Sequence, residues 1–593
     1  MVIDADRPKA NLSCFAMILL LVTACGPVHA GAGPYRNYKS LRSHLASLAR
    51  REPNLVRLDT LARSLEGRKI WIAEIGRGDD EARSTRPAML VVAGIEGDDL
   101  IGSRVAASWI ESLIEKYEQH ADITNLLNTT TLYVVPRLNP DAAEDFFGPV
   151  QVERTVNGRP FDDDHDGLLD EDGPEDLNAD GSVTWMRVRD PRGEYALDPI
   201  DERLLVKADP AEREAGAWRY LPEGIDSDHD GKWNEDGPGG VNLNRNFPCR
   251  YAYFASDAGL HPVSENETRA LADFVVDHAN IGIVLTYGAA DNLLKSPKGA
   301  EPPGRRKPLT EIDEKDVDYY RVAGELFRET FGLDKDLEGQ TFPGTFSDWM
   351  YFHRGRFSVA ARPWNLDVEI ELAEDNEDQE TAEPNETSDR DTAEQGPDEE
   401  ESEKEDEDER NEKQRQRLAW FDAHCPDAFL AWQPFEHPDF PGQKVEIGGY
   451  RPFALTNPPR DRVADVVARQ SEFLTALAQK LPRIGLAGTE VKHLGNSVFE
   501  VTLSVENKGF LPTVLSHGVR TGAVHPTRVT LGIHDDRILS GRRITYLPPI
   551  AGSGATARAR YVLHVPDARE VEFSVVSALA GQFHGTIELS KEQ

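Results

Sequence analysis

Three short stretches of the sequence place oxygen-bearing side chains at alternate positions. Each stretch has oxygens at its first, third, fifth and ninth positions and glycine at its sixth. Hard cations such as calcium take six to eight oxygen ligands, and the glycine permits the turn that folds alternate side chains inward. The candidate ligands are Asp162, Asp164, Asp166 and Asp170; Asp176, Asn178, Asp180 and Thr184; and Asp226, Asp228, Asp230 and Asn234. We therefore expect structural calcium, with solvated acidic turns as the alternative interpretation.

The elements around these loops have the pattern of an α/β domain. Short apolar runs at residues 91–93, 132–135 and 283–285 are bounded by Gly, Asn or Pro, and residues 100–114 have apolar side chains at helical spacing. This alternation predicts a largely buried sheet with helices. The capping box at residues 264–267, which precedes an apolar run, predicts the start of another helix. We assign this domain to residues 34–480.

The C-terminal part of the chain has a different periodicity. Apolar residues alternate with polar ones around residues 499–505, 529–533 and 571–575, and Gly and Pro separate these stretches. Period-two patterns of this kind are typical of strands with one buried face. They predict an all-β sandwich over residues 485–593, which we interpret as an accessory module.

Charge is concentrated in a few segments of the chain. The formal net charge is -38, which argues against a nucleic-acid-binding protein that neutralises phosphates. Residues 373–412 are rich in Glu and Asp and nearly free of apolar side chains. Such a composition cannot bury enough surface to offset the entropy of ordering. We therefore expect a disordered insert that interrupts the α/β domain.

The N-terminus has the composition of an export signal. An apolar stretch at residues 14–24 follows Arg7 and Lys9, and small residues follow it. We expect residues 1–30 to be a signal peptide and the protein to be periplasmic, cell-surface or extracellular. Processing at Cys25 would give a lipid anchor, the one expected membrane attachment, and cleavage after Ala30 would not. In an oxidising compartment Cys249 and Cys425 could pair.

Four segments in order resemble motifs of the carboxypeptidase A/B-type zinc metallocarboxypeptidases. Residues 65–69 resemble the S-x-E-G-R segment of that family, and residues 138–141 resemble N-P-D-G. Residues 242–247 match N-R-N-F, and residues 262–268 resemble P-x-S-E-P-E-T. The resemblance covers roughly residues 35–365. It implies a mixed sheet with helices on both faces, a zinc ion, and peptide substrates with a free C-terminus.

The positions that this resemblance assigns to zinc and catalysis have different residues here. In the family, a His and a Glu three apart and a second His bind zinc, and a further Glu is the general base. The corresponding residues are Glu96 and Asp99, then Gly288, and finally Ala360. We expect a catalytically inactive protein. The alternatives are an active metallocarboxypeptidase with non-standard ligands and a non-catalytic scaffold.

The substrate-binding half of the resemblance is retained. Asn244 and Arg245 match the family pair that binds the C-terminal carboxylate of a peptide. Arg suits this task because its guanidinium can pair with a carboxylate through two parallel hydrogen bonds. Arg154 is a candidate for the arginine that faces the scissile carbonyl. The alternative interpretation of Arg245 is a structural salt bridge.

Overall fold

The computed structural model of the protein describes most of the chain after the predicted signal peptide. The described residues are 34–160, 167, 169–170, 173–208, 216–227, 229, 231, 233, 240–301, 307–333, 335–381, 399–566 and 569–589. Residues 1–30, with both predicted processing points, lie outside them. Contacts group residues 34–593 into one compact unit.

The elements are numbered in chain order. The helices are α1 Tyr38–Arg51, α2 Asp80–Thr85, α3 Leu100–Lys116, α4 Ala121–Thr129, α5 Asn266–Asp277, α6 Val317–Phe331, α7 Phe346–Phe352, α8 Leu366–Thr381, α9 Glu399–His424, α10 Val463–Ala478 and α11 Ser516–Thr521. The strands up to residue 361 are β1 Val56–Arg63, β2 Lys69–Ile75, β3 Ala88–Val92, β4 Thr131–Val135, β5 Trp185–Arg189, β6 Tyr195–Leu197, β7 Leu205–Lys207, β8 Trp218–Pro222, β9 Ile281–Tyr287, β10 Gly299–Ala300, β11 Ile312–Asp313 and β12 Phe357–Ala361. The later strands are β13 Phe429–Phe435, β14 Val445–Tyr450, β15 Ile484–Gly495, β16 Val498–Asn507, β17 Arg528–Leu531, β18 Ile538–Ser540, β19 Ile544–Tyr546, β20 Ala555–His564, β21 Glu570–Ser577 and β22 Gly581–Glu588.

A mixed sheet of strand order β1-β2-β4-β3-β9-β12 forms the centre of the α/β domain. Strands β4, β3, β9 and β12 are parallel neighbours, whereas β1 and β2 run antiparallel at one edge. Alternate residues of β3 enter different hydrophobic clusters. Met89 and Val91 pack with α3 and α10, and Leu90 and Val92 pack with α5. The prediction of a buried mixed sheet with helices on both faces is confirmed.

A second sheet, which the sequence analysis did not predict, joins two distant parts of the chain. Its strand order is β13-β14-β5-β8-β6-β7. The central pair is β14 with β5, where Ile447 lies opposite Met186. Met186, Val188, Val445 and Ile447 are buried together on one face of this sheet. Strands β5 to β8 of this sheet thus precede helices α8 and α9 in the chain, whereas β13 and β14 follow them.

The C-terminal residues form the predicted β-sandwich. Among the described residues, one sheet has the order β15-β16-β20-β18 and the other β19-β17-β21-β22. Inward residues of both sheets, including Val501, Leu503, Val529 and Phe573, share one buried cluster. The period-two prediction is confirmed, because these side chains alternate with exposed or half-buried neighbours along the strands, except at Thr502, which is buried between Val501 and Leu503.

The acidic segment over residues 373–412, which the sequence analysis expects to be disordered, is described in part. Helix α8 extends to Thr381 and helix α9 begins at Glu399, and residues 382–398 lie outside the described ranges. Glu, Gln, Lys and Arg have high helix propensity even where nothing is buried. One (i, i+4) pair, Glu409 with Lys413 at 2.6 Å, adds local support. Disorder of the acidic insert stays a prediction.

Two further observations concern membrane crossing and the cysteines. In the part of the chain that the structure describes, no helix has both the length and the apolar character needed to cross a bilayer. No disulfide joins Cys249 and Cys425, so the pairing considered from the sequence is not formed between them.

Candidate functional site

The turn after β3 brings Glu96 and Asp99 into the domain. Gly94 has a φ of 53°, so the chain can turn sharply at the end of the strand. Asp99 is the N-cap of α3, and its Oδ1 accepts a hydrogen bond from the Gly102 backbone N–H at 2.8 Å. The amide oxygen of Asn457 accepts the two preceding N–H groups of the helix, at 3.0 and 2.9 Å. Asp99 is therefore a helix-capping residue.

Glu96 connects three separate segments of the site. Its Oε2 accepts the Ala289 backbone N–H at 2.5 Å, and its Oε1 accepts from Asn244 Nδ2 at 3.4 Å. The side chain is buried, with a relative exposure of 3%. The pKa of Glu96 is raised to about 7. Burial is the main cause, the nearby Asp98 also raises this pKa, and the two hydrogen bonds partly offset the increase. Burial also raises the pKa of Asp99 to about 7.

Gly288 directly follows β9 and lies against Glu96. A Cβ atom at residue 288 would be 2.6 Å from Oε2 of Glu96 and 3.2 Å from Cγ2 of Ile95. Both distances are too short for unstrained packing, so no larger side chain fits beside the Glu96 carboxylate as it stands. The position that the resemblance assigns to the second histidine thus has neither a donor atom nor room for one.

Ala360 lies within β12, one strand away from Gly288. Its backbone N–H donates to Oδ1 of Asn292 at 3.0 Å, and its carbonyl oxygen accepts from the Asn292 N–H at 3.1 Å. The residue is buried and its methyl group can neither accept nor donate a proton. The structure therefore has no general base at this position.

The residues at these four positions do not fit a zinc site. A catalytic zinc is held by nitrogen or carboxylate donors that leave one coordination position open. Here Glu96 is engaged with two hydrogen-bond donors, Asp99 caps a helix, and residues 288 and 360 have no donor side chain. Among the described residues, no group of three or more His, Cys, Asp or Glu side chains is arranged to hold a metal ion.

Asn244 and Arg245 belong to a 3-10 turn, residues Leu243–Arg245, and the Asn244 side chain contacts Glu96. The Oδ1 of Asn242 caps this turn by accepting the Asn244 N–H at 2.8 Å. The Oδ1 of Asn244 accepts the Phe346 N–H at 3.2 Å, so the Asn244 amide is fixed at both ends. The structure thus brings Asn244 into contact with Glu96.

Arg245 forms an internal ion pair, the alternative that the sequence analysis considered, with a partner that the sequence did not identify. Its Nη1 donates to Oδ2 of Asp257 at 2.6 Å, and each side chain is 28% exposed. The Nε of Arg245 is buried and has no hydrogen-bond partner among the described residues. Asp257 lies in an irregular loop, where no periodicity or motif marks it as the partner of Arg245.

Arg154 belongs to an ionic network that joins two of the family-like segments. Its Nε is 2.8 Å from Oδ2 of Asp145, and its Nη2 is 3.9 Å from Oε1 of Glu66. Asp141 accepts hydrogen bonds from Ser64 Oγ and Arg68 Nη1, both at 2.7 Å. Segments 65–69 and 138–141 therefore contact each other, and Arg154 is paired with carboxylates of this network.

The Asp-rich loops are described in part. Asp162, Asp164, Asp166, Asp228, Asp230 and Asn234 lie outside the described residues. The glycines at the sixth positions, Gly167, Gly181 and Gly231, have φ values of 97°, 89° and 91°. Each of these three glycines thus has the left-handed backbone conformation that the expected turn requires.

The loop of residues 176–184 is described completely. Asp176 accepts the N–H groups of Asp180 and Gly181 at 3.0 and 2.9 Å, and Asn178 Nδ2 donates to Asp180 at 3.0 Å. Thr184 differs from its expected role, because its N–H and hydroxyl both donate to Oε2 of Glu223, at 2.8 and 2.9 Å. Its β-branched side chain is buried beside that carboxylate, which the spacing could not predict.

Comparisons with known proteins identify the family of the α/β domain. A family model described as zinc carboxypeptidase matches residues 41–154 and 217–382, and the chain belongs to the zinc carboxypeptidase family. Residues 483–588, which form the sandwich, match a family described as a domain of unknown function.

The similar proteins named carboxypeptidase match a limited region. Carboxypeptidase D of Anas platyrhynchos is 34% identical over 110 residues, which are 18% of this chain and 8% of that protein. Carboxypeptidase M of Mus musculus is 27% identical over 110 residues, which are 25% of that protein. The chain thus spans a quarter or less of the length of these two relatives.

Solved structures with related folds cover more of the chain at lower identity. Bovine thrombin-activatable fibrinolysis inhibitor is 14% identical, covers 55% of this chain and 86% of its own, and has a TM-score of 0.35. Carboxypeptidase A of Helicoverpa armigera is 15% identical, covers 55% of this chain and 64% of its own, and has a TM-score of 0.34.

Proposed function

We propose that this chain is a non-catalytic zinc carboxypeptidase relative that binds peptides or proteins through a free C-terminal carboxylate. The observation that carries this proposal is the state of Arg245. The residue follows Asn244 in the chain, its side chain is partly exposed, and its buried Nε–H has no partner among the described residues. A buried donor left without a partner costs about 1–3 kcal/mol, so a carboxylate that reached it would bind favourably.

The other half of the site supports the absence of catalysis. Hydrolysis in this family requires an activated water and a general base. Glu96 is engaged with Ala289 and Asn244, and Gly288 and Ala360 offer no functional group. Removal of single catalytic groups typically lowers rates by several orders of magnitude, and here several positions differ together.

The binding proposal is tested with one peptide in two forms. We expect a peptide acid to bind and its C-terminal amide to bind at least about 10-fold more weakly, because a charge-assisted hydrogen bond contributes about 1.5–3 kcal/mol. Arg245→Ala should remove the difference between acid and amide. Arg250→Ala is a matched control, because Arg250 lies in the same region and forms its own ion pair with Asp348. Equal affinity of the wild type for acid and amide would refute carboxylate recognition.

An active metallocarboxypeptidase with non-standard ligands is the rival that must be excluded by measurement. We expect no stoichiometric zinc by metal analysis. We also expect no release of C-terminal residues from a mixed peptide library, with or without added zinc. Release that a chelator abolishes would refute the non-catalytic proposal.

The Arg245–Asp257 ion pair favours a second candidate, a scaffold whose former cleft binds nothing. The variant Asp257→Asn separates the two candidates. If Arg245 binds a carboxylate ligand, loss of the internal competitor should leave the affinity for the peptide acid unchanged or increase it. If the ion pair is purely structural, the variant should lose thermal stability and show no acid-dependent binding.

We also propose that the Asp-rich loops bind calcium as a structural ion. The shared positive φ at Gly167, Gly181 and Gly231 supports this, as does the convergence of Asp176, Asn178 and Asp180 within one loop. A calcium-specific chelator should then lower the Tm of the wild type, and added calcium should restore it. The same shift in a variant with Asp176→Ala and Asp180→Ala would indicate that this loop is not a site.

Export is proposed from the first thirty residues alone. Determination of the mature N-terminus by mass spectrometry distinguishes a lipid-modified Cys25 from a chain that starts after Ala30. Recovery of the full-length unprocessed chain from the cytoplasm would refute export.

A further inference from the structure

Gly288 is a glycine for reasons of space. Its backbone does not have the positive φ that favours glycine, so a larger residue could adopt the same conformation. The obstacle is Glu96, whose Oε2 would be 2.6 Å from a Cβ at this position. A real Cβ does not approach an oxygen so closely, so either the carboxylate or the backbone would have to move.

The position of the Glu96 carboxylate matters because it holds two other segments. Its Oε2 accepts the N–H of Ala289, the residue next to Gly288, and its Oε1 accepts from Asn244. Asn244 in turn accepts the N–H of Phe346 at the start of α7. One buried carboxylate therefore links the ends of β3 and β9 to the turn that contains Arg245.

We propose that Glu96 and Gly288 are a mutually dependent pair, in which Gly288 leaves room for the carboxylate and Glu96 is the positioning residue for Asn244 and the adjacent Arg245. The second part of this statement rests on the proposed function of Arg245. The Glu96 carboxylate then connects, through its hydrogen bonds to Ala289 and Asn244, the chain segments at the position where the family resemblance predicts a zinc ion. Neither residue can be replaced without consequence for the other.

The first test measures the coupling between the two residues by thermal unfolding. Gly288→Ala in the wild type should lower the Tm by roughly 1–3 °C, because overpacking displaces the carboxylate from the Ala289 N–H. In the Glu96→Ala background the added methyl group occupies vacated space. The same substitution should then lower the Tm by no more than about 0.5 °C, since the sites are coupled.

A matched glycine within β9, the strand that Gly288 follows, controls for the general effect of adding a methyl group to this segment. A Cβ at Gly282 would meet Cδ2 of Leu481 at 3.2 Å and has no contact with Glu96. Gly282→Ala should therefore change the Tm equally in both backgrounds. Equal effects of Gly288→Ala in the two backgrounds would overturn the pairing.

The second test measures positioning through peptide binding. We expect Glu96→Ala to weaken binding of a peptide acid by about 10-fold, and Glu96→Gln to retain more affinity because its amide oxygen can still accept the Ala289 N–H. Unchanged affinity of Glu96→Ala, in a protein whose Arg245→Ala variant no longer binds, would overturn the positioning role alone. Failure of the wild type to bind any peptide acid would overturn the proposed function and the positioning role together. The Tm cycle would then still decide the pairing of Glu96 with Gly288.

Discussion

The buried carboxylate of Glu96 predicts an unusual pH dependence of stability. Its pKa rises from 4.5 to about 7 on folding, chiefly because burial disfavours the charged form. Between these values the folded protein retains a proton that the unfolded chain has lost. Stability therefore falls as the pH rises through this window, which is opposite to the behaviour of a salt-bridged carboxylate.

The magnitude follows from the size of the pKa change. A rise from 4.5 to about 7, at 1.36 kcal/mol for each pKa unit, corresponds to a loss of about 3 kcal/mol between pH 4.5 and pH 8. The variant Glu96→Gln is uncharged at every pH and has no such loss. The free energy of unfolding of Glu96→Gln minus that of the wild type should thus increase by about 3 kcal/mol over this range.

Denaturant unfolding at a series of pH values, followed by tryptophan fluorescence, measures this difference directly. Glu115→Gln is a matched control, because Glu115 is a solvent-exposed residue of α3 close in sequence to the site. A difference between Glu96→Gln and the wild type that stays constant from pH 4.5 to pH 8 would refute the argument from burial. A difference that decreases with pH would mean that the site stabilises the charged carboxylate.

Two further predictions concern distant contacts that hold the domain together. Asn457→Ala removes the acceptor for the first two N–H groups of α3 and should destabilise the protein by about 1–3 kcal/mol in denaturant unfolding, whereas Asn125→Ala, at an exposed helix position, should not. Asp316→Ala removes the acceptor for two N–H groups of α11 and should loosen the sandwich from the α/β domain, seen as faster limited proteolysis near residue 482. Asp318→Ala is the control, because Asp318 is exposed and lies two residues from Asp316. Equal proteolysis rates of the two variants would contradict the role of Asp316.

The sequence predicts those elements whose burial determines the spacing of their own apolar residues. The buried strands β3, β4 and β9 appear as short apolar runs, and the strands of the sandwich appear as period-two alternation of apolar and polar residues. The start of α5 was also predicted, although its capping box is not formed. Ser264 donates to Glu265 instead of capping the helix, and Glu265 makes no side-chain cap hydrogen bond.

The features that sequence analysis missed depend on residues far apart in the chain. The β5–β14 pairing joins strands separated by more than two hundred residues, and no local pattern identifies such partners. The same holds for Asn457, which caps a helix that begins at Leu100. The contact between Glu96 and residue 288 is of this kind too, since the sequence shows both substitutions but not their proximity.

The ion pair at the base of the acidic helices has a consequence for how this family member can vary. Asp367 at the start of α8 and Arg417 near the end of α9 form two parallel hydrogen bonds, each of 2.8 Å. This ion pair holds the two ends of the intervening segment together. Lengthening a segment whose ends are held together adds only a slowly growing entropic cost, about 0.6 kcal/mol for each doubling of its length. Insertions and deletions between these two residues are therefore expected to accumulate during evolution with little effect on the rest of the fold.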